Sequence, residues 1–240
     1  MFLYEFYNKL NKMIYISGYD GFTSIKVMTP SFGEWYVINP YELKDENGVI
    51  MECVWQFQKV YKDVPKVNRK EWSHPAETHI DNNGNYTPEF YAWRKKGINH
   101  NKAVRYPVGF KHRSQCLYAL MDKPDGTIDE DNKLDYVESR KKIYVKEYCR
   151  LVKKHPKFKE LKKRLEKGEN LLITEVDGPH QESLDYYKEK YGVDDNFIQD
   201  DTIIVSENNI NIMLNDPKHP FGHGYCLAMA LLEKDEEWNK

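Results

Sequence analysis

The chain has 240 residues, with 36 Lys and Arg against 38 Asp and Glu, for a net charge of −2. That length fits one domain, with or without insertions, and the near-neutral balance excludes a global basic field that would draw the chain to nucleic acid. Charged residues make up 31% and mean hydropathy is −0.80, so the core is limited, while a 14% aromatic share with 18 Tyr supplies large buried areas per side chain.

The apolar opening Met1-Phe2-Leu3-Tyr4 is soon broken by Glu5, Asn8 and Lys9, which predicts no signal peptide. Short strands are predicted at 13–16, 24–27 and 34–38, separated by Gly18, Gly21, Pro30 and Gly33. Residues 50–62 predict a helix. Residues 63–88 hold three Pro and the Asn82-Asn83-Gly84-Asn85 cluster, so a long connection is expected there. Thr87 and Pro88 open a helix over 88–97 that Gly97 ends, and 111–121 predicts another. After a polar loop at 122–133, residues 135–154 carry Ile143, Tyr144, Tyr148, Leu151 and Val152 on one helical face. A helix over 158–167 ends at Gly168. Strands are predicted at 171–176 and 202–205. Ser206 caps a helix through 214, and a last helix runs over about 224–236. The layout is α+β and mainly helical, in a single domain over residues 1–240.

Cys53, Cys116, Cys149 and Cys226 lie far apart with no CxxC spacing, which predicts reduced thiols and a cytoplasmic protein. No apolar run approaches a membrane span, so no membrane partner is expected. The abundance of Lys, Asn, Tyr and Ile hints at an AT-rich genome of the bacteriophage kind, in which case the compartment is the host cytoplasm. No P-loop, G-x-S-x-G elbow or CxxC pair is present, which argues against kinase, hydrolase-triad and zinc-ribbon chemistry, and no cofactor is expected. His180, His219 and His223 lack a fourth ligand at a supporting spacing, so no metal site is predicted.

The stretch Glu52-Cys53-Val54-Trp55-Gln56-Phe57-Gln58-Lys59 is dense in functional groups. On a helix Glu52, Gln56 and Lys59 share a stripe, leaving Cys53, Val54 and Phe57 to be buried. Such a stripe beside Trp55 lines a ligand pocket or, alternatively, forms a solvated face with an internal ion pair. Basic residues cluster at 153–164, where a solvated helix face competes with a phosphate track, and again at Lys66, Arg69 and Lys70.

Glu52, Gln56 and Lys59, after the Asp45-Glu46-Asn47-Gly48 turn, resemble the E-H-x-x-Q-x-x-K helix of the NADAR (YbiA-like) family, with Cys53 in place of the motif's His. Trp93 to Gly97 with Arg105, residues 139–161, Leu172 to Glu175, the acidic loop Val176-Asp177-Gly178-Pro179-His180 and Phe221 to Met229 resemble later family segments in order, over about residues 30–235. Insertions fall at about 63–88 and 185–215. The family's D-x-x-W-G lacks its Trp, with Tyr191-Gly192 as a displaced remnant. The resemblance implies a NADAR-type domain that cleaves N-glycosidic bonds, removing ADP-ribose from a nucleobase such as guanine in DNA; in a phage this undoes a toxin's modification. Hydrolysis of a small phosphoribosyl intermediate of the riboflavin pathway is the second enzymatic expectation, and a non-catalytic module binding ADP-ribose or nucleic acid is the third. Glu52 and Asp177 form the expected carboxylate pair, with Lys59 as nucleophile or phosphate clamp. Gln56, Gln58, Arg105, His180 and His223 are expected to bind ligand. Gly222 and Gly224 are expected to admit a diphosphate at a helix N-terminus, Trp35, Trp55 and Tyr225 to stack on a base, and Lys66, Arg69 and Lys70 to meet DNA.

Overall fold

The computed structural model describes residues 2–5, 21–27 and 33–236. The strand predicted at 13–16 lies outside them. In chain order the elements are β1 (Phe2–Glu5), β2 (Phe22–Lys26), α1 (Met51–Phe57), β3 (Lys59–Val60), β4 (Asp63–Val64), β5 (Val67–Asn68), β6 (Ser73–His74), β7 (Glu77–Thr78) and α2 (Pro88–Ile98). There follow β8 (Tyr118–Ala119), α3 (Tyr136–Ser139), α4 (Lys146–Val152), α5 (Pro156–Glu166), β9 (Asn170–Glu175), α6 (Leu184–Tyr191), β10 (Thr202–Ile204), α7 (Glu207–Asn215) and α8 (His223–Leu232). The fold is mixed helix and strand, of the α+β kind. It comprises two compact units: Met1–Asn39 with Val145–Lys240, here the terminal unit, and Pro40–Tyr144, the central unit.

The terminal unit is built on a four-stranded sheet of order β10-β1-β9-β2. β9 is parallel to both β1 and β2, and β10 closes the far edge antiparallel to β1. A parallel central strand needs cover on both faces and reads as a near-continuous apolar run. Residues 171–175 of β9 are accordingly all buried. The α8 helix is apolar around its circumference and buried from His223 to Leu231, as a helix inside a core must be.

The central unit is held by an aromatic core. Phe57 of α1 packs edge-on and tilted against Trp72 and Trp93, with ring centroids 4.7 and 4.6 Å away. The α2 helix crosses α1 at Gly97, where an added Cβ would lie 1.9 Å from the Phe57 ring. Gly97 is therefore inside α2, which runs on to Ile98, and its service is close approach rather than termination. The N-caps follow their sequence signals. Thr87, Asp135 and Ser206 accept from Phe90, Glu138 and Asn209 amides.

Several local expectations are corrected. Residues 34–38 form a 3-10 turn at Tyr36–Ile38 instead of a strand. The signature helix ends at Phe57, and Lys59 opens a strand paired with Ala119. The connection at 63–88 contains a nested ribbon in which β4 pairs with β7 and β5 with β6. Trp72 at its tip is buried and donates to the Pro107 carbonyl over 3.1 Å. The helix expected at 111–121 is a 3-10 turn over Phe110–Gln115 followed by β8.

Candidate functional site

In the central unit, one turn of α1 and the start of β3 gather a polar chain. Gln56 donates from Nε2 to Glu52 Oε1 over 2.9 Å, and Lys59 Nζ donates to Gln56 Oε1 over 3.1 Å. A carboxylate can only accept and an ammonium only donate, so the amide orientation is fixed by its neighbours. Glu52 and Gln56 are buried, 5% and 6% exposed. The Lys59 ammonium also sits 4.3 Å from the centroid of the Trp55 ring, whose neighbour on the ring side is Tyr144 at 5.0 Å. Lys59 meets the stripe although it is outside the helix, because the C-cap residue Gln58 keeps a helical backbone (φ −85°, ψ −11°) and carries the helical path on to it.

Burial lowers the Lys59 pKa below the ordinary lysine value; Cys116 and Glu52 oppose that shift and Arg105 adds to it. Tyr41 lies in the same neighbourhood. Burial raises its phenol well above the usual value, Glu52 reinforces this, and a hydrogen bond with Arg105 works against it. The Cys116 thiol is likewise raised by burial, with Lys59 opposing. Gln58, at the C-terminal end of α1, is buried, and its Oε1 has no hydrogen-bond partner among the described residues. Cys53 faces the other way, into the aromatic core. Its thiol donates to the Lys102 carbonyl and burial pushes its pKa up to about 11. It is a core residue, protonated at neutral pH.

In the terminal unit, Asp177, Gly222, His223 and Gly224 surround a residue that the sequence did not single out. Glu175, at the end of β9, is fully buried. Its carboxylate accepts from the backbone amides of Val176 (2.7 Å), Asp177 (3.2 Å) and Gly224 (2.6 Å), with His223 Nδ1 3.5 Å away. An added Cβ on Gly222 would lie 2.3 Å from Glu175 Oε2, and one on Gly224 2.9 Å from Glu175 Cβ. The two glycines thus make room for the protein's own carboxylate, which takes the place at the α8 N-terminus where a diphosphate was expected. His223 is tied through Nε2 to the Val27 carbonyl at 2.6 Å. Leu172 to Glu175 did carry a signal, an acid closing a buried strand, but the chemistry was assigned to Asp177 two residues on.

The remaining expected residues are scattered. Trp35 is buried beneath the Lys157 ammonium, 4.8 Å from its centroid. Tyr225 is buried and stacked on Phe221, and its hydroxyl has no partner among the described residues. His180 lies 3.8 Å from Asp201. Lys66, Arg69 and Lys70 are exposed on the ribbon, but the Arg69 guanidinium donates to the carbonyls of Arg105 and Tyr106, so it braces that loop. Tyr191-Gly192 is a helix end, with Gly192 left-handed at φ +68°. Among the described residues, no group of three His, Cys, Asp or Glu side chains is placed to hold a metal ion, and no helix is long and apolar enough to cross a membrane. No family model, curated protein or solved structure matches the chain.

Proposed function

We propose that the chain is an N-glycosidase that removes ADP-ribose from a nucleobase, guanine in DNA being the preferred substrate, with the active centre in the central unit. The observation that carries this is the hydrogen-bonded chain Glu52–Gln56–Lys59, ending in a lysine whose amine is made easier to deprotonate by burial. The likeness of the same three residues, Glu52, Gln56 and Lys59, to the NADAR helix is a second support. Asp177 belongs to the terminal unit, so the chemistry is written with central-unit groups alone.

Breaking a ribosyl C–N bond develops positive charge on the sugar and negative charge on the leaving base. The Glu52 carboxylate stabilises the sugar cation. Lys59, as a neutral amine, bonds to the anomeric carbon while the C–N bond breaks and its electron pair leaves with the base, which takes up a proton. Ring opening gives an imine on Lys59, and water then releases ADP-ribose and restores the amine. Gln56 holds both partners in register, and Trp55 offers a flat apolar face beside them.

Incubation with oligonucleotide ADP-ribosylated on guanine, and separately with a phosphoribosyl pyrimidine intermediate, tests this. Free ADP-ribose from the first, with the second unchanged, is the expected result. Turnover of the second alone assigns the small-metabolite reaction, and tight retention of the first without turnover assigns a binding module.

A further inference from the structure

We propose that Ser183, His219 and Asp216 form a nucleophilic relay and that Ser183 is a reactive serine toward carboxylic esters, an activity separate from any reaction at Glu52 and Lys59. The geometry is that of an activated hydroxyl. Ser183 Oγ lies 3.2 Å from His219 Nε2, and His219 Nδ1 lies 2.7 Å from Asp216 Oδ2. A carboxylate accepts only, so the proton sits on Nδ1 and the Nε2 lone pair faces the serine hydroxyl. Asp216 is fully buried. Tyr187 donates to the same Asp216 oxygen over 2.6 Å, stands 2.8 Å from Nδ1, and its ring stacks on the imidazole at 5.4 Å. The imidazole is thus held in plane and in tautomer, the two tasks that the acid performs in a serine triad.

Ser183 closes a 3-10 turn over Gln181–Ser183 that runs directly into the eight-residue α6 helix, and its backbone is itself helical (φ −91°, ψ −3°), so its hydroxyl makes no capping bond and is engaged by His219. Ser183 and His219 are each partly exposed, so a substrate can reach them. Ser183 lies in Gln181-Glu182-Ser183-Leu184-Asp185, outside the G-x-S-x-G elbow whose absence argues against a triad in the sequence, so the constellation rests on its geometry alone. Glu182 and Asp185 flank the nucleophile, which selects against anionic acyl groups and in favour of neutral or cationic esters.

In the reaction, Ser183 Oγ bonds to the ester carbonyl carbon as its proton passes to Nε2. The carbon–oxygen bond to the alcohol breaks, and Nε2 returns the proton to the leaving oxygen. Water, deprotonated by Nε2, then cleaves the acyl-serine to the carboxylic acid and restores the hydroxyl.

The full chain is tested with a fluorophosphonate probe, in which the serine oxygen displaces fluoride from phosphorus, followed by peptide mapping. The expected result is a single adduct on Ser183, none with Ser183→Ala, and labelling slowed on the order of a hundredfold in His219→Gln. Absence of an adduct on Ser183 in the unmodified protein overturns the proposal, as does His219→Gln labelling at the original rate. If His219→Gln melts below the assay temperature, the pH profile of labelling decides: a rate that falls as the imidazole is protonated supports the relay, and a pH-independent rate overturns it.

Discussion

Gln56 donates to Glu52 and accepts from Lys59, and that arrangement makes Glu52 and Lys59 separable by substitution. Glu52→Gln preserves shape and leaves α1 intact but removes the charge that would meet the sugar cation. Turnover should fall roughly a hundredfold with the melting temperature nearly unchanged; full activity would take Glu52 out of the chemistry. Lys59→Arg separates the two roles of the cation. A phosphate clamp acts by charge and survives the change, whereas an amine nucleophile does not, because a guanidinium stays protonated. The lowered Lys59 pKa favours the nucleophile, so borohydride added during turnover should leave a sugar adduct on Lys59, and an active Arg variant with no adduct would assign the clamp. Asp216 permits a pH prediction. Burial raises its pKa, but hydrogen bonds from Tyr186, Tyr187 and His219 prevail and hold the carboxyl at about 2 against an ordinary 3.8. A depressed folded-state pKa means that its stabilisation is complete above the unfolded value and is lost as pH falls through about 2. Asp216→Asn should therefore remove on the order of 1–2 kcal/mol at neutral pH and flatten the acid limb of the stability curve. Superimposable acid-unfolding curves would contradict this.

At the scale of elements, the long periodic segments were legible and the short ones were not. Helices at 136–152, 156–166 and 207–215 and the buried strand at 170–175 follow their caps and apolar faces. The ribbon at 63–78 escaped because its strands are two residues each, too short for alternation to register. Its order comes from Trp72 and His74, both bonded to the Pro107 carbonyl, a tertiary contact with no local signature. The signature helix was drawn too long because Val60 and Tyr61 were counted as helical, and strand pairing with Tyr118 overrode that. Of the candidate site, the Glu52, Gln56 and Lys59 stripe was legible from spacing; Tyr41 and Cys116 were not, since nothing in their local sequence marks them, and Glu175 was signalled only as the acid that closes a buried strand. Gly97 looked like a helix terminator, and only the Phe57 ring beside it reveals its role. Gly97→Ala should destabilise the protein by about 1–3 kcal/mol, since the ring or α2 must shift to admit a methyl group. An unchanged thermal midpoint would mean that α1 and α2 do not meet this closely.

For the whole molecule, a net charge of −2 leaves any contact with DNA to local patches. Arg69 is committed to the 105–106 carbonyls, so the ribbon's uncommitted candidates are Lys66 and Lys70. Their double replacement by Ala should weaken oligonucleotide processing and lower its salt dependence by about one unit of slope per lost phosphate contact, while a modified mononucleoside is processed as before. Equal losses on both substrates would mean that the ribbon acts on the Glu52–Gln56–Lys59 site instead. The most direct test of the central claim is mass spectrometry of a guanine-ADP-ribosylated oligonucleotide during incubation with the protein and with its Glu52→Gln variant. The predicted result is conversion to the unmodified oligonucleotide with stoichiometric free ADP-ribose, about a hundredfold slower in the variant; an oligonucleotide whose mass never changes, or equal rates from both proteins, would contradict it.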